Sequence, residues 1–165
     1  MNHRITTYIT KFNLQPHPEG GWYAETYRSE DSTTGLPTRF NGKRNFSTAI
    51  YFLMPGNSFS AFHRIKSDEL WHFYDGDMLE VLIIDHQGAL HTIQLGRDTE
   101  NGQVFQATVH SGQWFASRCS VKDGFSLVGC TVSPGFDFED FEMADRAELT
   151  RQYPQHIGVI QELTR

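Results

Sequence analysis

Apolar side chains along this chain recur at every second position in short runs, and clusters of Gly, Asp, Asn and Pro separate the runs. A period of two sends alternate side chains to opposite faces of an extended backbone, so each run predicts a strand with one buried face. The runs are Trp22–Tyr27, Ser47–Met54, Phe59–Ile65, Leu70–Tyr74, Met78–Asp85, Leu90–Leu95, Val104–Val109, Trp114–Arg118 and Phe125–Val132. Nine short strands in 165 residues predict one all-β domain, a sandwich or a barrel. Pro55-Gly56-Asn57, Asp75-Gly76-Asp77, Gln87-Gly88, Glu100-Asn101-Gly102 and Ser111-Gly112 supply turn chemistry between the runs and predict hairpin connections.

Helical spacing is confined to the ends. Ile5, Tyr8, Ile9 and Phe12 recur on one helical face, and Asp145 is placed to cap a short helix running to Gln152 and stopped by Pro154. Both predict covers on a β-core. The stretch from Arg28 to Asn45 has neither period and carries Gly35, Pro37 and Gly42, which predicts a long mobile loop.

Charge narrows the partners. Fourteen basic against twenty acidic residues leave a net charge of −6, so no basic field exists to hold nucleic acid or an anionic membrane surface. The longest apolar run, Ala49–Met54, is far below the roughly 20 residues that span a bilayer, and the first ten residues lack a signal-peptide core. A cytoplasmic protein is the expectation. Cys119 and Cys130 flank a turn at Lys122-Asp123-Gly124; if that turn pairs its strands, Cys119 faces a residue near Val128, and both thiols stay reduced and buried.

Chemistry concentrates between residues 59 and 76. Alternation puts Phe59, Ala61, His63 and Ile65 on one strand face, and Glu69, Trp71 and Phe73 on one face of the next strand. If both faces point inward, an imidazole and a carboxylate meet in an aromatic-lined cavity. His72 falls on the opposite face from Glu69.

Here the chain resembles the cupin superfamily. The first cupin motif, His-x-His, three or four residues, Glu, six residues, Gly, aligns with His63, Ile65, Glu69 and Gly76; the second, Pro-x-Gly-x-x-His, aligns with His110-Ser-Gly112-Gln-Trp-Phe115. The resemblance is closer to the cupin group of unknown function called cupin-5, carried by Leu14–Arg28, Ser47–Leu53, Phe62–Phe73, Trp114-Phe115 and Gly129–Glu142. It implies a double-stranded β-helix, the jelly-roll barrel of the cupins, with short terminal helices. The chain then forms a single cupin domain over 1–165, its core about 12–144 and a helical or extended tail 145–165. The resemblance also implies a homodimer and kinship with deoxysugar epimerases, in which a histidine of the corresponding strand is the general base beside a keto group. His63 takes that role by resemblance, with Glu69 as its coupled partner. Metal-binding cupins draw their ligands from the four positions that are His63, Ile65, Glu69 and Phe115 here, and two ligands are too few for a stable site. No metal and no cofactor is the expectation; the alternative set is His63, Glu69 and His72, which simple pleating keeps apart.

Other residues carry two readings each. Glu19, Gly20, Gly21 and Trp22 form either a tight approach to a ligand or a plain strand entry, with Glu19, Glu25, Tyr27 and Arg28 framing a cavity mouth. Thr48 and Tyr51 line the cavity if they point inward. Trp71, Phe73 and Phe115 either fill the barrel or stack on a ligand, and His72 is held in reserve for the site. Phe136–Glu142 alternates aromatic and acid, as an edge closing the barrel or as a lid bringing a carboxylate to His63. The expected function is binding of a small organic ligand in the barrel, with metal-independent isomerase or epimerase chemistry at His63 and Glu69. The alternative is a binding module without turnover.

Overall fold

A computed structural model describes residues 3–165. The elements in chain order are α1 (His3–Lys11), β1 (Gln15–Pro16), β2 (Trp22–Arg28), β3 (Ser32–Thr33), β4 (Arg44–Asn45), β5 (Thr48–Pro55), β6 (Phe59–Arg64), β7 (Asp68–Gly76), β8 (Leu79–Ile84), β9 (Leu90–Leu95), β10 (Gln106–Val109), β11 (Trp114–Cys119), β12 (Phe125–Ser133), β13 (Glu142–Met143), α2 (Arg146–Gln152) and α3 (Ile157–Glu162). Every strand expected from the alternation is present, with ends displaced by at most two residues.

Two antiparallel sheets face each other. One has the order β1-β2-β5-β12-β7-β10 and the other β13-β6-β11-β8-β9, with β3 and β4 paired separately. Between them lies a core of inward side chains that includes Phe52, Trp71, Phe73, Val81, Ile83, Phe115 and Val128. This is the double-stranded β-helix. No helix among the described residues is long and apolar enough to cross a membrane.

The turns sit where the sequence put them, but most are not hairpins. From β5 to β8 the chain changes sheet at every step, so the turns at residues 55–57, 75–77 and 111–112 carry it across the sandwich, and only Gln87-Gly88 joins neighbouring strands, β8 and β9. Turn chemistry bends the backbone locally and carries no information about which sheet receives the next strand. The same correction applies to the cysteines. The strands holding Cys119 and Cys130 lie in different sheets, and both thiols are free and buried in the core.

The stretch 28–45 is not a featureless loop. Ser32 pairs with Asn45 and Thr33 with Arg44. The buried Arg44 guanidinium donates from Nε and Nη2 to both oxygens of buried Asp140, at 2.7 and 2.8 Å, and this pairing anchors the segment.

Both ends are covers. The apolar face of α1 packs Ile5, Tyr8, Ile9 and Phe12 over Leu53, Phe125 and Leu127 on the outer face of the first sheet. Asp145 caps α2 by accepting from the Glu148 backbone N–H at 2.9 Å, and Leu149, Ile160 and Leu163 cover Phe62, Leu82 and Trp114 on the second sheet. The helix α3 lies within the tail 145–165 that was expected to be helical or extended.

Candidate active site

The first sheet builds the cavity in rows set by register. Arg28, Thr48, Val132 and Glu69 stand side by side; Glu25, Ile50, Cys130 and Trp71 form the next row; Tyr23, Phe52, Val128 and Phe73 form a third. The outermost row is roofed by residues 136–141, where the Phe136 backbone N–H donates to Thr48 Oγ1 at 2.9 Å. Beneath the roof is a cavity of about 490 Å³, with His17, Glu19 and His63 on its other side. That volume suits a small organic molecule.

Glu19 reaches the cavity because two glycines follow it. Gly20 and Gly21 have φ of +116° and +73°, and a Cβ on Gly20 would lie 2.0 Å from the Phe59 carbonyl oxygen. Only glycine allows this close turn against β6. The Ala61 N–H donates to the Glu19 carbonyl at 2.9 Å and pins the loop. The Glu19 carboxylate then accepts from Ser60 Oγ at 2.9 Å and lies 3.0 Å from His63 Nε2. His63 Nδ1 stands 2.7 Å from the Ala61 carbonyl, which only accepts, so Nδ1 carries the proton.

Charge follows from these contacts. Burial disfavours the imidazolium of His63, but the Glu19 charge and hydrogen bond outweigh it, and the His63 pKa is raised. For Glu19, burial pushes the carboxyl up, while the His63 charge and hydrogen bond, with His17 and Ser60, more than offset it and hold it below the usual carboxylate range. The two form a buried ion pair with both His63 N–H groups engaged. His17 stays neutral: burial lowers its pKa, and its Nδ1 accepts from the Glu19 N–H at 3.3 Å.

Glu69 has the opposite environment. Burial drives its pKa up to about 7, the Glu19 charge adds to the rise, and the His63 charge with a hydrogen bond from Cys130 only partly opposes it. The Cys130 thiol is itself pushed well above its ordinary value, first by burial and then by Glu69, so it is no nucleophile at neutral pH.

At the rim, Arg28 is held by four hydrogen bonds. It donates from Nε and Nη2 to the two Glu25 oxygens, from Nη1 to Asn45 Oδ1, and from Nη2 to the Phe136 carbonyl. Phe136, Phe138 and Phe141 pack edge to face with centroids 4.9 to 6.4 Å apart, and Phe141 lies 5.2 Å from the His63 ring.

Of the residues singled out in the sequence, His63, Glu69, Glu19, Glu25, Arg28 and Thr48 face this cavity. Trp22, Tyr27, Tyr51, Trp71, His72, Phe73 and Phe115 do not, for identifiable reasons. Trp22 is on the outer face of β2 beneath α1. A bulge between Glu25 and Tyr27 inserts one residue, which turns Tyr27 outward and brings Arg28 in. Tyr51 lies three positions from Thr48 and so on the other face, against Phe12 at 4.6 Å. Trp71, Phe73 and Phe115 are inward but are packed into the closed floor. His72 is outward, its Nδ1 accepting from Gln106 and its Nε2 3.1 Å from Thr131 Oγ1. The set His63, Glu69 and His72 therefore does not converge. Sequence reasoning missed Tyr23, Ile50 and Phe52, which alternation from Glu25 and Thr48 would have found. It also missed Cys130, treated only as a thiol, and His17, whose role depends on the glycine turn. The aromatic and acidic segment supplies a roof, and the carboxylate beside His63 is Glu19.

The metal implied by the wider superfamily does not fit these residues. Two of its four ligand positions are Ile65 and Phe115, and Phe115 packs its ring 4.1 Å from His63 within the core. His63 Nε2, its one nitrogen free of the backbone, is turned to Glu19.

Comparison with known proteins agrees with this architecture. A protein of Shewanella oneidensis shares 43% identity and superposes with a TM-score of 0.86 over 96% of both chains. A hypothetical protein from Leishmania major shares 37% identity with a TM-score of 0.89, over 96% of this chain and 97% of that one. An uncharacterised protein of Saccharomyces cerevisiae is 31% identical over 144 residues, which is 80% of this chain and 71% of that protein. The family model described as cupin superfamily, domain of unknown function 985, matches residues 6–144, and the chain belongs to that family.

Proposed function

We propose that the protein binds a small organic carbonyl compound in the cavity and isomerises it by proton transfer, with Glu69 as the base. The observation that carries this reading is a carboxyl at a pKa of about 7 in the same cavity as the buried Glu19–His63 ion pair. A group that titrates near neutral pH both accepts and returns a proton at useful rates. His63 is held as a cation by Glu19 with both nitrogens engaged, so it has no free lone pair to take a proton and becomes a positioning residue that keeps Glu19 ionised. Tyr23 lines the cavity, and its hydroxyl makes no hydrogen bond among the described residues, so it is the donor available to a carbonyl oxygen.

In the proposed step the Glu69 carboxylate removes the proton from the carbon beside the carbonyl. The C–H electron pair becomes the C=C bond of an enolate, the Tyr23 hydroxyl hydrogen-bonds its oxygen, and Glu69 returns the proton to the same or the neighbouring carbon. The kinship with deoxysugar epimerases that the sequence resemblance implies supports the reaction class by fold-level analogy alone. A second reading, capture without turnover, is favoured by the saturation of the His63 donors. The test is incubation in D2O with a panel of sugars and hydroxy ketones, neutral and amino-substituted, followed by proton NMR. Loss of a C–H signal with wild type and its retention with Glu69→Gln is expected. Exchange undiminished in Glu69→Gln would rule out Glu69 as the base, and bound compounds that never exchange would select capture.

A further inference from the structure

The charges around the cavity are unbalanced toward the negative. Facing Glu69 or lining the same space are Glu19 from the turn after β1, Glu25 and Arg28 from β2, His63 from β6, Cys130 from β12, Asp137 from the roof, and neutral His17 and Tyr23. His63 is consumed by Glu19, and Arg28 by Glu25. What remains without a cation is Glu69, since Asp137 also feels the charges of Arg28 and Arg44. The Asp137 side chain accepts only from the Glu139 backbone N–H, and Glu69 is 8% exposed with the Cys130 thiol as its hydrogen-bond partner. A carboxyl this buried, aimed into open space and without a stronger donor, lacks a partner that a ligand can supply.

The walls point the same way. Tyr23, Phe52, Phe136, Phe138 and Phe141 surround the space, and aromatic faces carry negative quadrupole charge that attracts cations and repels anions. We infer that the cavity selects a small organic ammonium compound, its nitrogen toward Glu69 and its hydrocarbon body against the phenylalanines, over neutral and anionic molecules of the same shape. This rests on the cavity being the ligand site proposed above, and it names the substrate class for that site: an amine-bearing carbonyl compound, not a phosphorylated or carboxylated one. Four of the five Arg28 N–H groups and both of those on His63 are already engaged, which leaves a single N–H to meet a phosphate.

Binding is then linked to pH with a definite sign. A cation favours the ionised Glu69, so its binding releases the Glu69 proton below neutral pH and releases none above. The probes are benzylamine, benzyl alcohol and benzoate, which share one ring and differ in charge, titrated calorimetrically into wild type and Glu69→Gln from pH 5.5 to 8. Benzylamine is expected to bind at least tenfold tighter than the other two at pH 8. Its affinity is expected to rise by about thirtyfold from pH 5.5 to 8 and to level off above 7, the span for binding restricted to the ionised form of a group at about 7. Glu69→Gln is expected to flatten that rise, and its cooperative urea unfolding transition reports separately that the variant is folded. Equal binding of benzyl alcohol and benzylamine would overturn the selectivity while leaving the cavity a ligand site. Tighter benzoate binding, a falling pH profile, or no binding of any probe would overturn it too, and in those cases the deuterium-exchange assay decides separately on the proton-transfer reading.

Discussion

Replacing Glu69 by Gln tests the electrostatics of the cavity without any ligand. In the folded protein the carboxyl titrates at about 7, against 4.5 when unfolded, because burial and the Glu19 charge disfavour its anion. The folded state therefore holds the Glu69 proton more tightly, and stability falls as pH rises from about 4.5 to about 7, then stays flat. The shift is 7 − 4.5, or about 2.5 units, worth about 3 kcal/mol at 1.36 kcal/mol per unit. At pH 5 only about 1 kcal/mol of that cost is expressed, and at pH 8 about 3 kcal/mol. Glutamine has nearly the same shape and no charge, so its own packing and hydrogen-bonding cost is the same at both pH values. The Glu19 and His63 contributions run in opposite senses: the depressed Glu19 is lost as pH falls, the raised His63 as pH rises, and both are present in wild type and variant. The difference between the two proteins reports Glu69 together with its coupling to Glu19 and His63. Urea unfolding at pH 5, 6, 7 and 8 should show the variant gaining about 2 to 3 kcal/mol on wild type across the range. That corresponds to a melting-temperature gain of roughly 5–10 °C for a chain of this size. A difference constant to within about 0.5 kcal/mol would refute the raised pKa, and with it the choice of Glu69 as base.

Two further changes probe the buried ion pairs. His63→Asn leaves the Glu19 carboxylate buried without its cation and should destabilise the protein by about 3–5 kcal/mol at pH 7, while adding Glu19→Gln should restore much of the loss; a coupling energy below about 0.5 kcal/mol in the double-mutant cycle would show that the two are not paired. Arg44→Ala should cost about 3–5 kcal/mol through the orphaned Asp140 carboxylate and should speed proteolytic cleavage between residues 29 and 43, where an unchanged cleavage rate would show that the pair does not anchor this segment.

The strands were legible because their signals are local: alternation over a handful of residues fixes faces, and Gly, Asp and Asn mark the bends. That reasoning placed Glu69, Trp71 and Phe73 on one face of β7, and they share it. Period two says nothing about position along a face, however, and on β7 that position separates the cavity lining from packed core. Glu69 stands in the row under the phenylalanine roof, Trp71 one row down, Phe73 a row below that, so one face of one strand runs from chemistry to solid core. Register with β12 and β5 sets those rows, and register is a long-range property. The same limit hid the partner of His63. Its spacing to Glu69 suggested a pair, yet the turn forced by Gly20 and Gly21 presses Glu19 onto β6 first and satisfies the imidazole. Once Glu19 holds His63 as a cation, Glu69 is left with burial and a neighbouring negative charge, and its basicity follows. The carboxyl that titrates near neutral pH is thus the one that the ion pair leaves over, and it depends on three segments far apart in the chain and on no motif within any of them.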